Sequence, residues 1–287
     1  MKHAYLIIAH SSKTLLKELI QALDDERNDI YIHLDQKATF DISDITTKYS
    51  ALYVLPERLD ARWGDYSLVK VELLLMSEAS SRIPYAYYHL LSGVDFPIAN
   101  QNDIHTFFTR HMGKEFIGFA NHTSSAELKW RAHHYFLFSK KFNTKNLCIR
   151  LIRRVFADIQ TVLGYKRYPY IIKKGCQWCS ITHDFVKFLL SNKDLINKYF
   201  DHTYCPDELV IQTFCWNSPF RDRVYNLHDE FKGCLRYINW DNGVIHLMDN
   251  ENPQKMVESE FLFARKFSED GIENISRIKE LLKDKLA

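Results

Sequence analysis

The sequence predicts an α/β fold with a mixed, mostly parallel central sheet flanked by helices. Two runs carry this expectation: Tyr5 to Ala9 is a continuous apolar stretch and Ile30 to Leu34 a second β-rich run, with the look of strands buried on both faces. Between them Leu15, Leu16, Leu19, Ile20 and Leu23 repeat at helical spacing. Strand, helix and strand in so short a span make a βαβ unit, which implies a right-handed crossover and a parallel pair. Ligands of such sheets gather at the carboxyl ends of the strands, so His10, after the first strand, and His33, Asp35 and Lys37, at the end of the second, fall beside a nucleotide site.

A third short strand is expected at Leu52 to Leu55, leading into Arg62-Trp63-Gly64. Leu68, Val71, Leu74 and Leu75 mark an amphipathic helix ending near Ser81, and Tyr87 to Leu91 read as a fourth strand. Its exit, Ser92-Gly93-Val94-Asp95-Phe96-Pro97, is a turn that Pro97 pins before a helix near Asp103. Asp95 therefore sits at a strand's carboxyl end. Beyond it the pattern predicts strands at Glu115 to Phe119 and Trp178 to Ile181, and a helix from Asp184 to about Leu190. With no repeat or Gly/Ser linker, the chain reads as a single domain over 1–287, a nucleotide-binding half at about 1–110 and an acceptor and catalytic half at about 111–287.

Composition bounds the function. The chain has 287 residues, 46% of them hydrophobic, enough for a sizeable core. Its 38 basic and 36 acidic residues give no global electrostatic case for nucleic acid. The apolar run after Met1-Lys2-His3 is too short for a signal peptide's core or a membrane span, which predicts a cytoplasmic protein. The six cysteines suit packing roles in a reduced compartment, and the single Cys176-x-x-Cys179 lacks a second pair at zinc spacing.

Several residues carry chemistry. Glu208, in Pro206-Asp207-Glu208 before the apolar run Leu209, Val210, Ile211 and Phe214, is either a solvated acid at a helix start or a general base. Arg236 alternates with Ile238 and Trp240 on one face of Leu235 to Trp240. Lys266 lies among Phe263, Ala264 and Phe267. A cation in such surroundings needs a partner, either a structural ion pair or a bound anion, and a diphosphate would satisfy both. Metal-dependent nucleotide-sugar transferases use an Asp-x-Asp tripeptide, which the sequence lacks; Asp249-Asn250-Glu251 is the nearest imitation. Oxygen-rich ligands are what magnesium or manganese require. No metal and no cofactor are therefore expected.

Six ordered blocks resemble the core-2/I-branching β-1,6-N-acetylglucosaminyltransferases and the related peptide O-xylosyltransferases, in the form of their compact bacterial members. They are Tyr31-Ile32-His33-Leu34-Asp35, Arg62-Trp63-Gly64-Asp65-Tyr66-Ser67, His89 to Ile98, Gly175-Cys176-Gln177-Trp178, Pro206-Asp207-Glu208 with Leu235 to Trp240, and Leu262 to Phe267. The resemblance implies a GT-A-type fold and an inverting, metal-independent transfer from a UDP-sugar to a hydroxyl of a glycan. In that reading Glu208 is the base and Arg236 and Lys266 grip the diphosphate. Arg62 and Trp63 border the uridine pocket, and Gln177 and Trp178, with Asp207, line the sugar and acceptor site. Asp65 and Gln36 depart from the family's usual residues. N-acetylglucosamine is the expected donor sugar and xylose the alternative; a non-catalytic sugar-nucleotide sensor is the non-enzymatic rival. A dinucleotide oxidoreductase is disfavoured, because His10-Ser11-Ser12-Lys13 replaces the glycine-rich fingerprint.

One segment is strongly basic. Between Ser139 and Lys174 ten lysines and arginines face one acid, Asp158, and Leu147, Ile149, Leu151, Ile152, Val155 and Phe156 make a basic amphipathic helix. It is either a solvated helix packed on the domain or a contact with the inner face of an anionic membrane, where a lipid-linked glycan acceptor would be found.

Overall fold

The structure is a computed structural model that describes residues 1–241 and 244–285. The βαβ opening forms as β1 (His3–Ala9), α1 (Lys13–Leu23) and β2 (Asn28–Leu34). Ser12 caps α1 by accepting from the Leu15 amide, satisfying a donor that the first helical turn leaves open. Then come β3 (Ala51–Val54), α2 (Ser67–Arg82), β4 (Tyr87–Ser92), β5 (Phe96–Pro97) and α3 (Gln101–Arg110). The second half contributes α4 (Ser125–His133), α5 (Leu147–Val162), β6 (Ser180–Thr182), α6 (His183–Ser191), α7 (Lys193–Phe200) and α8 (Val210–Trp216). Three short strands follow, β7 (Arg236–Ile238), β8 (Trp240–Asp241) and β9 (Val244–Ile245), and then β10 (Phe263–Arg265).

The main sheet has the order β3-β2-β1-β4-β6, parallel except for β6. All residues of β1, β2 and β4 are buried, the polar His3, Asn28, Asp29, His33, His89 and Ser92 among them. Alternation divides them between two cores: Leu6, Ile8 and Tyr31 pack with α2, while Tyr5, Ile7 and Ile32 pack with α1 and α3. The chain leaves β1 toward β2 on one side and reaches β4 on the other, so the order reverses between β1 and β4. Crevices at such reversals, outside the carboxyl ends of the strands, are where ligands of open α/β sheets bind. A second sheet, β5-β10-β7, continues from the exit of β4, with β10 antiparallel to β5 and parallel to β7. It delivers Arg265 and Lys266 to that end of the molecule.

The strand expected at Glu115 to Phe119 does not form. Two isolated bridges replace it, Glu115 to Val224 and Phe116 to Ser180, because Glu115 is buried with its carboxylate turned onto the amide and hydroxyl of Thr182. The strand expected at Trp178 to Ile181 starts at Ser180 and ends where Thr182 caps α6. The alternating run from Leu235 pairs only as far as Ile238 with β10.

Candidate active site

Four elements converge on the crevice. After β2, Asp35 is buried and accepts from the amides of Lys37 (2.8 Å) and Ala61 (2.9 Å). Lys37 lies 3.3 Å from Asp35 and 2.8 Å from Asp60, which also holds Arg62. The pair of cations keeps the Asp60 carboxyl low, at about 2. His33 faces inward: its Nε2 accepts from the Leu59 amide at 2.9 Å, so it braces the 56–61 loop. His10 lies at the surface just beyond β1, and partial desolvation of its ring together with the charges of Lys37 and Lys266 holds its pKa below the ordinary histidine value, against the pull of Asp35. His10, Lys37 and Lys266 thus share one field.

After β4, Asp95 is fully enclosed and takes the Ser92 amide at 2.9 Å and the Ser92 hydroxyl at 3.2 Å. Its Oδ1 lies 3.7 Å from Arg265 Nε. The Arg265 guanidinium also lies over the Trp178 ring, 4.2 Å from its centroid, yet its buried Nε and Nη1 have no hydrogen-bond partner. Unpaired guanidinium donors out of water are costly, and a cation so placed is ready for an anion. Lys266, the next residue, is half-buried, and its carbonyl accepts from the Met248 amide at 2.9 Å.

Arg236 lies deeper than its alternating run suggests. It is 0% exposed, and its guanidinium donates to the carbonyls of Cys234 (2.6 Å), Cys179 (2.9 Å) and Leu90 (3.2 Å) and to the Ser180 hydroxyl. Ser180 continues to His89 (2.8 Å) and His89 to His3 (3.0 Å), a buried polar chain in which desolvation holds both imidazoles neutral. Arg236 therefore ties β4, the approach to β6 and the start of β7 together. Both of its Nη atoms donate to the protein, and only its Nε lacks a partner; beside Lys266, the cation with open donors is Arg265, whose Nε and Nη1 make no hydrogen bond although Asp95 lies 3.7 Å away.

Glu208 ends a 3-10 turn, Pro206–Glu208, that precedes α8. The turn is entered through Cys205 at φ 46°, a left-handed conformation that costs a non-glycine residue about 1 kcal/mol. It is fixed by the Cys205 amide donating to the Gly64 carbonyl (3.0 Å) and by Arg131 donating to the Cys205 carbonyl (3.0 Å). Gly64 itself sits at φ 79°, so the Arg62-Trp63-Gly64 loop and the Glu208 turn are bolted together. Trp63 is exposed and meets Tyr204 edge-on at 5.8 Å. The Glu208 carboxylate is one-third exposed and pairs with Arg131 at 2.9 Å and Lys174 at 3.8 Å.

Two buried acids, Asp207 and Glu72, lie close enough to influence each other's charge. Asp207 is enclosed, with Oδ1 unpaired; desolvation and the neighbouring Glu208 charge push its pKa up to about 7. Desolvation, with the Asp207 charge nearby, also raises Glu72 well above the carboxylate range, and Glu72 accepts from Gln177 at 2.7 Å. Gln177 precedes Trp178, the platform under Arg265. The Gln177 amide is therefore committed to Glu72, and one Trp178 face is covered by a guanidinium. Gly175 begins this block because its amide donates to the Glu208 carbonyl (3.0 Å), and a Cβ there would lie 1.9 Å from the Gly118 oxygen.

Three candidate site residues escaped the sequence reading. Arg265 is adjacent to Lys266 but gives no signal that two of its nitrogens lack hydrogen-bond partners. Lys174 reads only as part of a basic run. Arg131 lies on α4, in a stretch with no matched block, although Ser124-x-x-Glu127 is the opening of a capping box and Ser124 Oγ does accept from the Glu127 amide.

The mostly parallel, helix-flanked sheet that reverses order between β1 and β4 is a mixed α/β fold of the GT-A class. Within that class the chain belongs to the Core-2/I-Branching enzyme family, whose model matches residues 3–276. It is similar to xylosyltransferase 2 of Canis lupus familiaris, 22% identical over 250 residues, which cover 83% of this chain and 26% of that protein. It is also similar to xylosyltransferase 1 of Homo sapiens, 23% identical over 250 residues, covering 83% and 24%. The chain thus spans about a quarter of the length of the curated relatives it matches. Among solved structures, S. aureus TarS 1-349 aligns over 97% of this chain and 64% of that one, at 13% identity and a TM-score of 0.35.

Proposed function

We propose that this chain is an inverting, metal-independent glycosyltransferase that moves N-acetylglucosamine from UDP to a hydroxyl of a glycan in surface polysaccharide or glycoconjugate synthesis. Glu208, oriented by Arg131, takes the proton from the acceptor hydroxyl. The freed oxygen attacks the anomeric carbon on the face opposite the diphosphate, and the bond to the β-phosphate oxygen breaks with its electron pair on UDP. Arg265 and Lys266 meet that growing charge. The observation that carries this reading is the pair of buried Arg265 nitrogens that make no hydrogen bond, beside Lys266 and 3.7 Å from Asp95, at the carboxyl end of the sheet. UDP-xylose is the second reading for the donor, favoured by relatives whose names are xylosyltransferases.

The test screens UDP-N-acetylglucosamine and UDP-xylose for UDP release, with calorimetric UDP titration of wild type, Arg265→Ala and Lys266→Ala. The proposal expects release from the first donor and a loss of UDP affinity in each variant of roughly 10-fold to 10²-fold. Binding without release under any acceptor would make the chain a sensor; unaltered affinity in both variants would remove the cations from the site.

A further inference from the structure

Helix α5 is anchored by one narrow face. Gln160 is buried and bonds both the amide (2.8 Å) and the carbonyl (3.0 Å) of Tyr135, Ala157 is buried beside it, and Arg153 lies on the Phe142 ring at 4.7 Å. These contacts fix the rotation of the helix. They leave Leu147, Leu151, Ile152, Val155, Ile159 and Val162 outward, within an arc of about 140° at 100° per residue. Leu147 is 73% exposed, Leu151 64% and Val162 86%. An apolar face of that extent in water is unusual for a helix packed on its own domain, whose apolar stripe ordinarily faces the core.

The charge around it is one-sided. Of the ten basic residues in this segment, Arg153, Arg167, Lys173 and Lys174 turn inward onto Phe142, Tyr135, Trp216 and Glu208. Lys140, Lys141, Lys145, Arg150, Arg154 and Lys166 are exposed. The segment's one acid, Asp158, lies 3.8 Å from Arg154. Apolar side chains flanked by lysine and arginine are complementary to a layer of anionic headgroups over acyl chains. At 16 residues α5 is shorter than a bilayer-spanning helix needs to be, so it would lie in the interface plane.

We infer that α5 docks the protein on an anionic phospholipid membrane. The helix is tied to the rim of the crevice: Arg62 Nη1 donates to the Lys140 carbonyl at 3.2 Å, and Phe142 packs on Tyr204, the residue that Trp63 also meets. Docking through α5 therefore brings the rim that carries Arg62 and Trp63 to the lipid surface, within reach of an acceptor held there. This inference is independent of catalysis and its test requires no turnover.

The test is co-sedimentation of the full chain with vesicles of phosphatidylcholine alone or with one-third phosphatidylglycerol. Wild type is expected in the pellet with the anionic vesicles only and to leave it in ~0.5 M salt, since screening weakens surface attraction. Leu151→Glu with Val155→Glu, both on the exposed face, is expected to lose binding at least tenfold while keeping its melting temperature and UDP affinity. Arg150→Ala with Arg154→Ala is expected to weaken it about fivefold per charge. Absence from both pellets, or a dimer in sedimentation velocity that the two glutamates dissolve, would overturn the inference.

Discussion

Arg236→Met separates a structural cation from a ligand-binding one. The change keeps apolar bulk beside Phe263, whose ring lies 4.6 Å from the Arg236 guanidinium carbon. It leaves the Cys234 and Leu90 carbonyls and the Ser180 hydroxyl without this donor, whereas the Cys179 carbonyl keeps the Leu90 amide. Ser180 keeps His89, so two buried carbonyls lose this donor, at a cost on the order of 2–6 kcal/mol. The loss is partly offset because the variant no longer buries a charge whose Nε lacks a partner, leaving a net cost of about 3 kcal/mol. For a domain of this size that lowers Tm by roughly 6–12 °C. UDP affinity per folded molecule should stay within about twofold. Arg265→Met should do the reverse: its guanidinium has free donors, so Tm falls by less, while UDP affinity falls by roughly 30-fold, the worth of a charge-assisted bond to phosphate. Thermal melting and calorimetric UDP titration of both variants decide it. An Arg236→Met protein that melts like wild type but no longer binds UDP would refute the assignment.

If the cations replace a divalent metal, UDP release should persist in excess EDTA; loss restored by manganese would show a metal at the diphosphate. Burial pushes the Glu115 carboxyl up to about 7 in the folded state, above its unfolded value. Its stabilising contribution is therefore present below pH about 4.5 and is lost as pH rises through 7, by about 3 kcal/mol. The buried histidines His3, His89 and His105, held low by desolvation, give the opposite slope, so the measurement is the wild-type minus Glu115→Gln stability difference from pH 4.5 to 8. A difference that does not change with pH would show that Glu115 is ionised throughout.

The half of the fold that a one-dimensional pattern can encode was legible. Fully buried parallel strands read as largely apolar runs, as β1, β2 and β4 do apart from a few buried polar residues. The 115–119 segment has the same composition, but buried Glu115 diverts its carboxylate onto Thr182, a choice set by residues 67 positions away. Cations were legible as a type and not as a partnership. Arg236 and Arg265 both sit in short strands among aromatics. Only the three-dimensional arrangement shows that both Nη atoms of Arg236 are held by carbonyls and Ser180 while Nε and Nη1 of Arg265 make no hydrogen bond. The apolar face of α5 was visible as periodicity, yet which arc faces outward depends on Gln160 binding Tyr135.

The most direct test of Glu208 as the base, with the cations of β10 as the diphosphate grip, is turnover of UDP-N-acetylglucosamine by Glu208→Gln beside its UDP affinity. The amide keeps the shape and one acceptor for Arg131 but cannot take a proton, so kcat should fall ~10²-fold or more while UDP binds within about twofold of wild type. Full turnover with unaltered affinity would contradict the account.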